Sequence, residues 1–126
     1  MTTTGLFRNA TDFQTVEAGA TIFQAGDPGD LMYVIKSGEV EIEVAGKKVA
    51  ELGAGEIFGE MALIDARPRS ATAWTRSRCE IVPVDRKKFL YLVQQTPQFA
   101  LQVMQTLVER LRALDESLSS IPSPPE

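Results

Sequence analysis

The chain has 126 residues, 44% of them hydrophobic and 24% charged, which suits one compact soluble domain and leaves little room for a second. Its net charge of -4 offers nucleic acid no general attraction, histidine is absent, and Cys79 is the single cysteine. Those counts exclude an internal disulfide, a structural zinc site, Ser-His-Asp and Cys-His catalysis, and most transition-metal chemistry.

Residues 1–12 read as an arm or short helix. They lack a basic region followed by an apolar core, so no secretory signal is expected. No apolar run approaches the roughly 20 residues that span a bilayer, so the expectation is a cytoplasmic protein with no membrane partner. From Phe13 to Asp85 short apolar alternations are punctuated by glycine. The segments Thr21–Gln24, Leu31–Lys36, Val40–Val44, Lys47–Leu52, Glu56–Phe58, Ser70–Trp74 and Glu80–Asp85 each predict a strand. Ala45-Gly46 fits a two-residue hairpin and Ser37-Gly38 a tight turn. So many short strands predict a sandwich or small barrel.

The period then changes. Asp85 is a suitable N-cap for a helix through "RKKFLYLVQQ", with Phe89, Leu92 and Val93 on one face. Arg86, Lys87 and Lys88 read as its solvated face. Thr96 as N-cap and Pro97 at the first helical position restart a second helix, which runs to about Leu118. Met104, Leu107, Leu111, Leu114 and Leu118 step by three and four in a coiled-coil-like seam. That seam either covers the strands or meets the same helix of a second chain, a homodimer through residues 97–118. Residues 119–126 are too proline-rich and short to pack and read as a disordered tail. No internal repeat occurs.

The chemistry concentrates in "FGEMALIDARPRSATA", Phe58 to Ala73. Gly59 lets the backbone turn tightly or approach a ligand. Glu60–Ile64 predicts one short helical turn whose first N–H groups suit an anion. Arg69 offers a planar fork for a phosphate, and Ser70 adds a hydroxyl donor. A carboxylate repels phosphate, so Glu60 makes sense if the ligand also brings hydroxyl donors, as a ribose does. One carboxylate on the 2′-OH and one arginine on the phosphate would clamp a ribose phosphate from two sides.

This stretch resembles the phosphate-binding cassette of cyclic-nucleotide-binding domains, whose pattern is F-G-E-[LM]-A-L-…-P-R-[AST]-A. The upstream "GDPGDLMYVIKSGEVEI" is similar to the glycine-punctuated strands of the same family. The resemblance covers roughly Phe13 to Leu118. It implies a mainly β fold with C-terminal helices: a β-roll over residues 13–85, a cassette over 58–72, and helices over 86–118 that move when cAMP or cGMP binds. By this resemblance Glu60 takes the ribose 2′-OH and Arg69 the cyclic phosphate. Backbone N–H groups near Met61, Ala62 and Ser70 complete the phosphate site, Phe58 and Gly59 hold the cassette close, and Ala71 faces the ligand. Relatives specific for cGMP usually carry threonine directly after the arginine. Ser70 stands there, as in the catabolite activator branch, which favours cAMP. In that branch a Thr-Ser pair on the long helix contacts adenine. Leu114 and Asp115 occupy those positions here, so Leu114 is expected against the base face and Asp115 to accept from an exocyclic amine.

Plainer roles are weighed beside these. Arg67 reads as solvent-exposed, Phe58 and Trp74 as core residues, and Cys79 as a small buried hydrophobe. Glu60 could also serve only as a helix N-terminal acid, or pair with Arg69 in a pocket that takes no ligand. No nucleophile–base pair is visible, and hydrolysis of a cyclic phosphate would want metal ligands that are scarce here. The expectation is a stand-alone sensor and not an enzyme, with a cyclic nucleotide as ligand, no cofactor, no nucleic acid, and an effector protein that the sequence does not identify. The rivals are a ligand-free interaction module of the same fold and a regulatory domain cut from a channel, kinase or transcription factor.

Overall fold

The computed structural model describes residues 12–65 and 67–119, with side chains described through residue 112. Residues 1–11 of the expected arm, the tail beyond Ser119, and the side chains of Leu114, Asp115 and Leu118 lie outside the described residues.

Two four-stranded antiparallel sheets face each other. The first has the order β1 (Gln14–Val16), β8 (Cys79–Val84), β3 (Met32–Ser37), β6 (Ile57–Phe58). The second has the order β2 (Thr21–Phe23), β7 (Thr72–Thr75), β4 (Val40–Val44), β5 (Lys47–Leu52). Three helices accompany them among the described residues: α1 (Met61–Ile64), α2 (Arg86–Gln95) and α3 (Gln98–Ser119). No helix of the described residues is long and apolar enough to cross a membrane. The β-roll expectation therefore stands as the observed architecture.

All seven predicted strands are present, and the sheets add an eighth. Strand β1 pairs Gln14 with Ile81 and Val16 with Cys79, yet three residues are too few to show an alternation. The predicted strand at Ser70–Trp74 starts late, at Thr72. The reason is competition for the backbone: Arg69 N–H donates to Asp27 O at 2.8 Å and Gly26 N–H donates to Arg69 O at 2.8 Å. Only from Thr72, opposite Glu43, does the ladder with β4 begin. The β4–β5 hairpin closes from Val44 to Lys47 through Ala45 (φ 53°) and Gly46 (φ 79°). Two left-handed residues match the type I′ turn that the strand twist favours.

The first sheet is buried on both faces, which explains its unbroken apolar runs. Met32, Val34, Ile57, Val82 and Val84 turn towards the helices and pack with Leu63, Phe99 and Val103. Ile35, Phe58, Cys79 and Ile81 turn the other way, against Val40, Leu52 and Ala73 of the second sheet. Phe58 and Cys79 are thus core residues, as expected. Trp74 is not. On β7 the inward positions belong to Ala73 and Thr75, so Trp74 lies half-buried on the alternate face and donates from Nε1 to Glu43 Oε1 at 2.9 Å.

Asp85 caps α2 as predicted, its side chain accepting from Lys88 N–H at 2.7 Å. Thr96 serves both helices: its N–H donates to Leu92 O, and its carbonyl accepts from Phe99 N–H at 2.9 Å. The seam on α3 needs correction. The residues facing the first sheet are Phe99, Val103 and, half-buried, Leu107. Met104 and Leu111 are 58% and 59% exposed, alongside Leu101 and Val108. The apolar positions of this helix form two stripes, and Leu107 belongs to the inner one. A spacing of three and four fits either stripe; the inner one packs Phe99 and Val103 onto the first sheet, with Phe99 also against Phe89 (centroids 5.7 Å apart).

Candidate functional site

The cassette begins where β6 ends. Gly59 has φ 75°, and a Cβ there would stand 2.9 Å from Arg69 Nη1 and 3.2 Å from Leu31 O. Conformation and space both demand glycine. After it, Glu60 opens the one-turn helix α1, with Ala62 N–H donating to Gly59 O at 3.2 Å and Leu63 N–H to Glu60 O at 3.1 Å. Leu63 is buried and ties α1 to the core, whereas Met61 and Ile64 are exposed. Ala62 N–H thus has an internal acceptor in Gly59 O.

Glu60 is only 2% exposed. Its Oε1 accepts a hydrogen bond and ion pair from Arg110 Nη1, and Arg110 Nη2 also donates to Ile57 O. Its Oε2 is buried without a partner. The side chain makes no capping bond to α1, so it is not merely a helix N-terminal acid. The alternative of a Glu60–Arg69 pair is not what forms: Glu60 pairs with Arg110, a residue that sequence reasoning passed over. A signal existed: Arg110 follows Val103 and Leu107 at helical spacing, which sets one cation in register with the inner apolar stripe.

Arg69 is 9% exposed. Its Nη2 donates to Leu31 O at 2.7 Å and its Nη1 to Gly59 O at 3.2 Å. The guanidinium lies over the Phe23 ring, with Cζ 4.1 Å from the centroid. Its Nε is buried and unpartnered. Beneath it Phe23, Tyr33 and Phe58 form an aromatic floor, with Tyr33 and Phe58 stacked at 5.2 Å. Burial there pushes the Tyr33 hydroxyl above its ordinary pKa, the Arg69 charge opposing and that of Asp30 adding. Phe58 therefore supports the cassette from below, inside the core. Ser70 is exposed and Ala71 half-buried beside it. Arg67 is solvent-exposed as expected, and pairs with Asp65 at 3.0 Å.

Chemically, Glu60 Oε2 is a buried acceptor and Arg69 Nε a buried donor on a cation, each without a partner. A ligand that carries both hydroxyl donors and an anionic oxygen suits that pair. Positions 114 and 115, the expected base contacts, belong to α3, but their side chains are not among those described.

The profile of the cyclic nucleotide-binding domain family matches residues 13–96. The chain is 39% identical over 97 residues to a cyclic nucleotide-gated potassium channel of Mesorhizobium japonicum, covering 77% of this chain and 27% of the channel. It is 36% identical over 105 residues to the cyclic AMP receptor protein of Thermus thermophilus, covering 79% of this chain and 49% of the receptor. The crystal structure of Thermus thermophilus catabolite activator protein superposes with a TM-score of 0.74 at 34% identity, over 86% of this chain and 55% of that one. The chain thus spans about half or less of the length of these curated relatives.

Proposed function

Because this chain belongs to the cyclic nucleotide-binding domain family, we propose that it binds cAMP in preference to cGMP and acts as a sensor through movement of α3. The observation that carries this reading is the pair of buried, unpartnered atoms, Glu60 Oε2 and Arg69 Nε. Leaving such groups unsatisfied costs about 1–3 kcal/mol each, more when charged, so they favour a ligand that supplies partners. A ribose 2′-OH donates to Glu60, and an anionic phosphate oxygen accepts from Arg69. Ser70 after the arginine and the cyclic AMP named for the receptor relative favour adenine.

Arg110 gives the sensor its linkage. It joins the Glu60 carboxylate to α3 directly, so a ligand that alters the charge and hydrogen bonding at Glu60 acts on the helix through one side chain. The ligand shifts the helix only by its differential affinity for two arrangements of that contact. The same contact favours a second reading, a module of this fold that holds no nucleotide, because Arg110 already neutralises Glu60 from within. Calorimetric titration with cAMP and cGMP separates the two. The first reading expects saturable binding, tighter for cAMP, with changed hydrogen exchange along 100–118. Heat-silent titrations with both nucleotides would leave only the second.

A further inference from the structure

We propose that Gly29, in the β2–β3 loop, is a positioning residue for Arg69: its missing side chain creates the seat in which the guanidinium lies. The inference rests on the reading of Arg69 as the anion-binding residue and adds the loop that holds it. A Cβ placed on Gly29 would stand 2.2 Å from Arg69 Nε, 2.5 Å from Cζ and 2.7 Å from Nη2. Real Cβ atoms do not approach so closely, so any other residue must move either the loop or the arginine.

The loop is not free to move. Ala25 N–H donates to Thr72 Oγ1 at 3.0 Å, Gly26 N–H to Arg69 O at 2.8 Å, and Arg69 N–H to Asp27 O at 2.8 Å. Asp27 Oδ2 accepts from Gln24 N–H at 3.0 Å, and Leu31 O accepts from Arg69 Nη2 at 2.7 Å. The loop is thus bonded to the backbone of the arginine before Gly29, at Gly26 and Asp27, and to its guanidinium after it, at Leu31. The guanidinium itself lies between two glycines, Gly29 along its Nε–Nη2 edge and Gly59 at Nη1. Gly59 also has φ 75°, whereas Gly29 is not in the left-handed region, so space alone accounts for the glycine at 29. With the loop held, a methyl at 29 displaces the guanidinium. The planar fork loses the carbonyls that aim it.

The test uses Gly29→Ala, Arg69→Ala, the double variant, and Gly53→Ala as control, since a Cβ at Gly53 meets nothing within 4 Å. Gly29→Ala is expected to lower the thermal midpoint and to weaken cAMP binding about ten-fold or more, because a misaimed fork forfeits charge-assisted bonds. Gly53→Ala should do neither. In the Arg69→Ala background the clashing atoms are gone, so adding Gly29→Ala should leave the midpoint unchanged. This non-additivity would not arise if the glycine merely shaped the loop. Equal loss of midpoint in both backgrounds overturns the proposal, as does unchanged cAMP affinity in Gly29→Ala. Should Gly29→Ala fail to fold, a double variant that folds supports the proposal and one that also fails overturns it. Wild-type protein that binds neither nucleotide overturns the ligand reading and the affinity role with it. The midpoint comparison, made without ligand, then still decides whether Gly29 acts on Arg69.

Discussion

Arg110 of α3 holds the buried carboxylate of Glu60, fifty residues earlier in the chain, and with its other terminal nitrogen the carbonyl of Ile57. The pair joins the long helix to the cassette through one side chain. Arg110→Ala would leave Glu60 buried without its cation, a loss of about 1–3 kcal/mol given the partial exposure of the arginine. Adding Glu60→Gln should restore part of that stability, because the orphaned charge is removed. Urea unfolding of the three variants measures it. Additive losses would mean that the two residues do not act as a pair.

Arg69→Ala should weaken cyclic nucleotide binding by about 2–5 kcal/mol, the usual consequence of truncating one partner of a buried charge pair. Arg69→Lys should be nearly as severe, since an ammonium cannot reach the Leu31 and Gly59 carbonyls and a phosphate as a fork does. Calorimetry at constant salt gives the comparison, with circular dichroism as the check on folding. Wild-type affinity in Arg69→Ala would move the anion site elsewhere.

A 2′-deoxy analogue of cAMP should bind more weakly than cAMP itself, by about 1–3 kcal/mol, because Glu60 Oε2 then stays unpaired beside an anion. Glu60→Gln should narrow the gap between the two ligands. Competition binding with both analogues reads this out, and equal affinity for them would remove the ribose role from Glu60.

Ser70→Thr should raise affinity for cGMP relative to cAMP. Ser70 is exposed beside Arg69, and the added methyl restricts χ1, fixing the hydroxyl in fewer directions. Parallel titrations of wild type and variant give the ratio. A wild type that already prefers cGMP would contradict this selectivity.

Cys79 should be inert in the folded protein. It is fully buried, and burial pushes its thiol above the ordinary value, with hydrogen bonding to Glu39 and Ser77 opposing. The raised value means that the fold favours the protonated thiol. The stability this contributes is complete below the ordinary thiol pKa of about 8.5, and is lost as pH rises through the folded value. A thiol-specific chromogenic reagent at pH 8 should label the protein in urea and leave the native form unlabelled on the same timescale. Rapid labelling of native protein would place Cys79 at an accessible surface.

The strands of the roll, the two tight turns and the Asp85 cap follow from local rules: apolar alternation, positive-φ residues at turns, and a side-chain acceptor before a helix. The cassette is legible for a related reason. A glycine, a carboxylate and an arginine at close spacing have few joint uses, and all three lie within twelve residues of one another. Strand β1 escapes because three residues carry no period, and the late start of β7 because its first residues bond to a distant loop.

Which side of α3 is buried could not be read from the chain, because Phe99–Val103–Leu107 and Leu101–Met104–Val108–Leu111 both satisfy helical spacing. Only the packing of Phe99 and Val103 onto Met32, Val34 and Val84 chooses between them. That choice also carries Arg110 inward to Glu60 and leaves Arg69 to the β2–β3 loop. Glycine, glutamate and arginine types set what the site can bind, since hydrogen-bonding groups and charge are properties of single residues. Partnership is a property of distance. The pairing of Glu60 with Arg110, and the seating of Arg69 against Gly29, join residues 50 and 40 positions apart, and only tertiary packing brings them within contact.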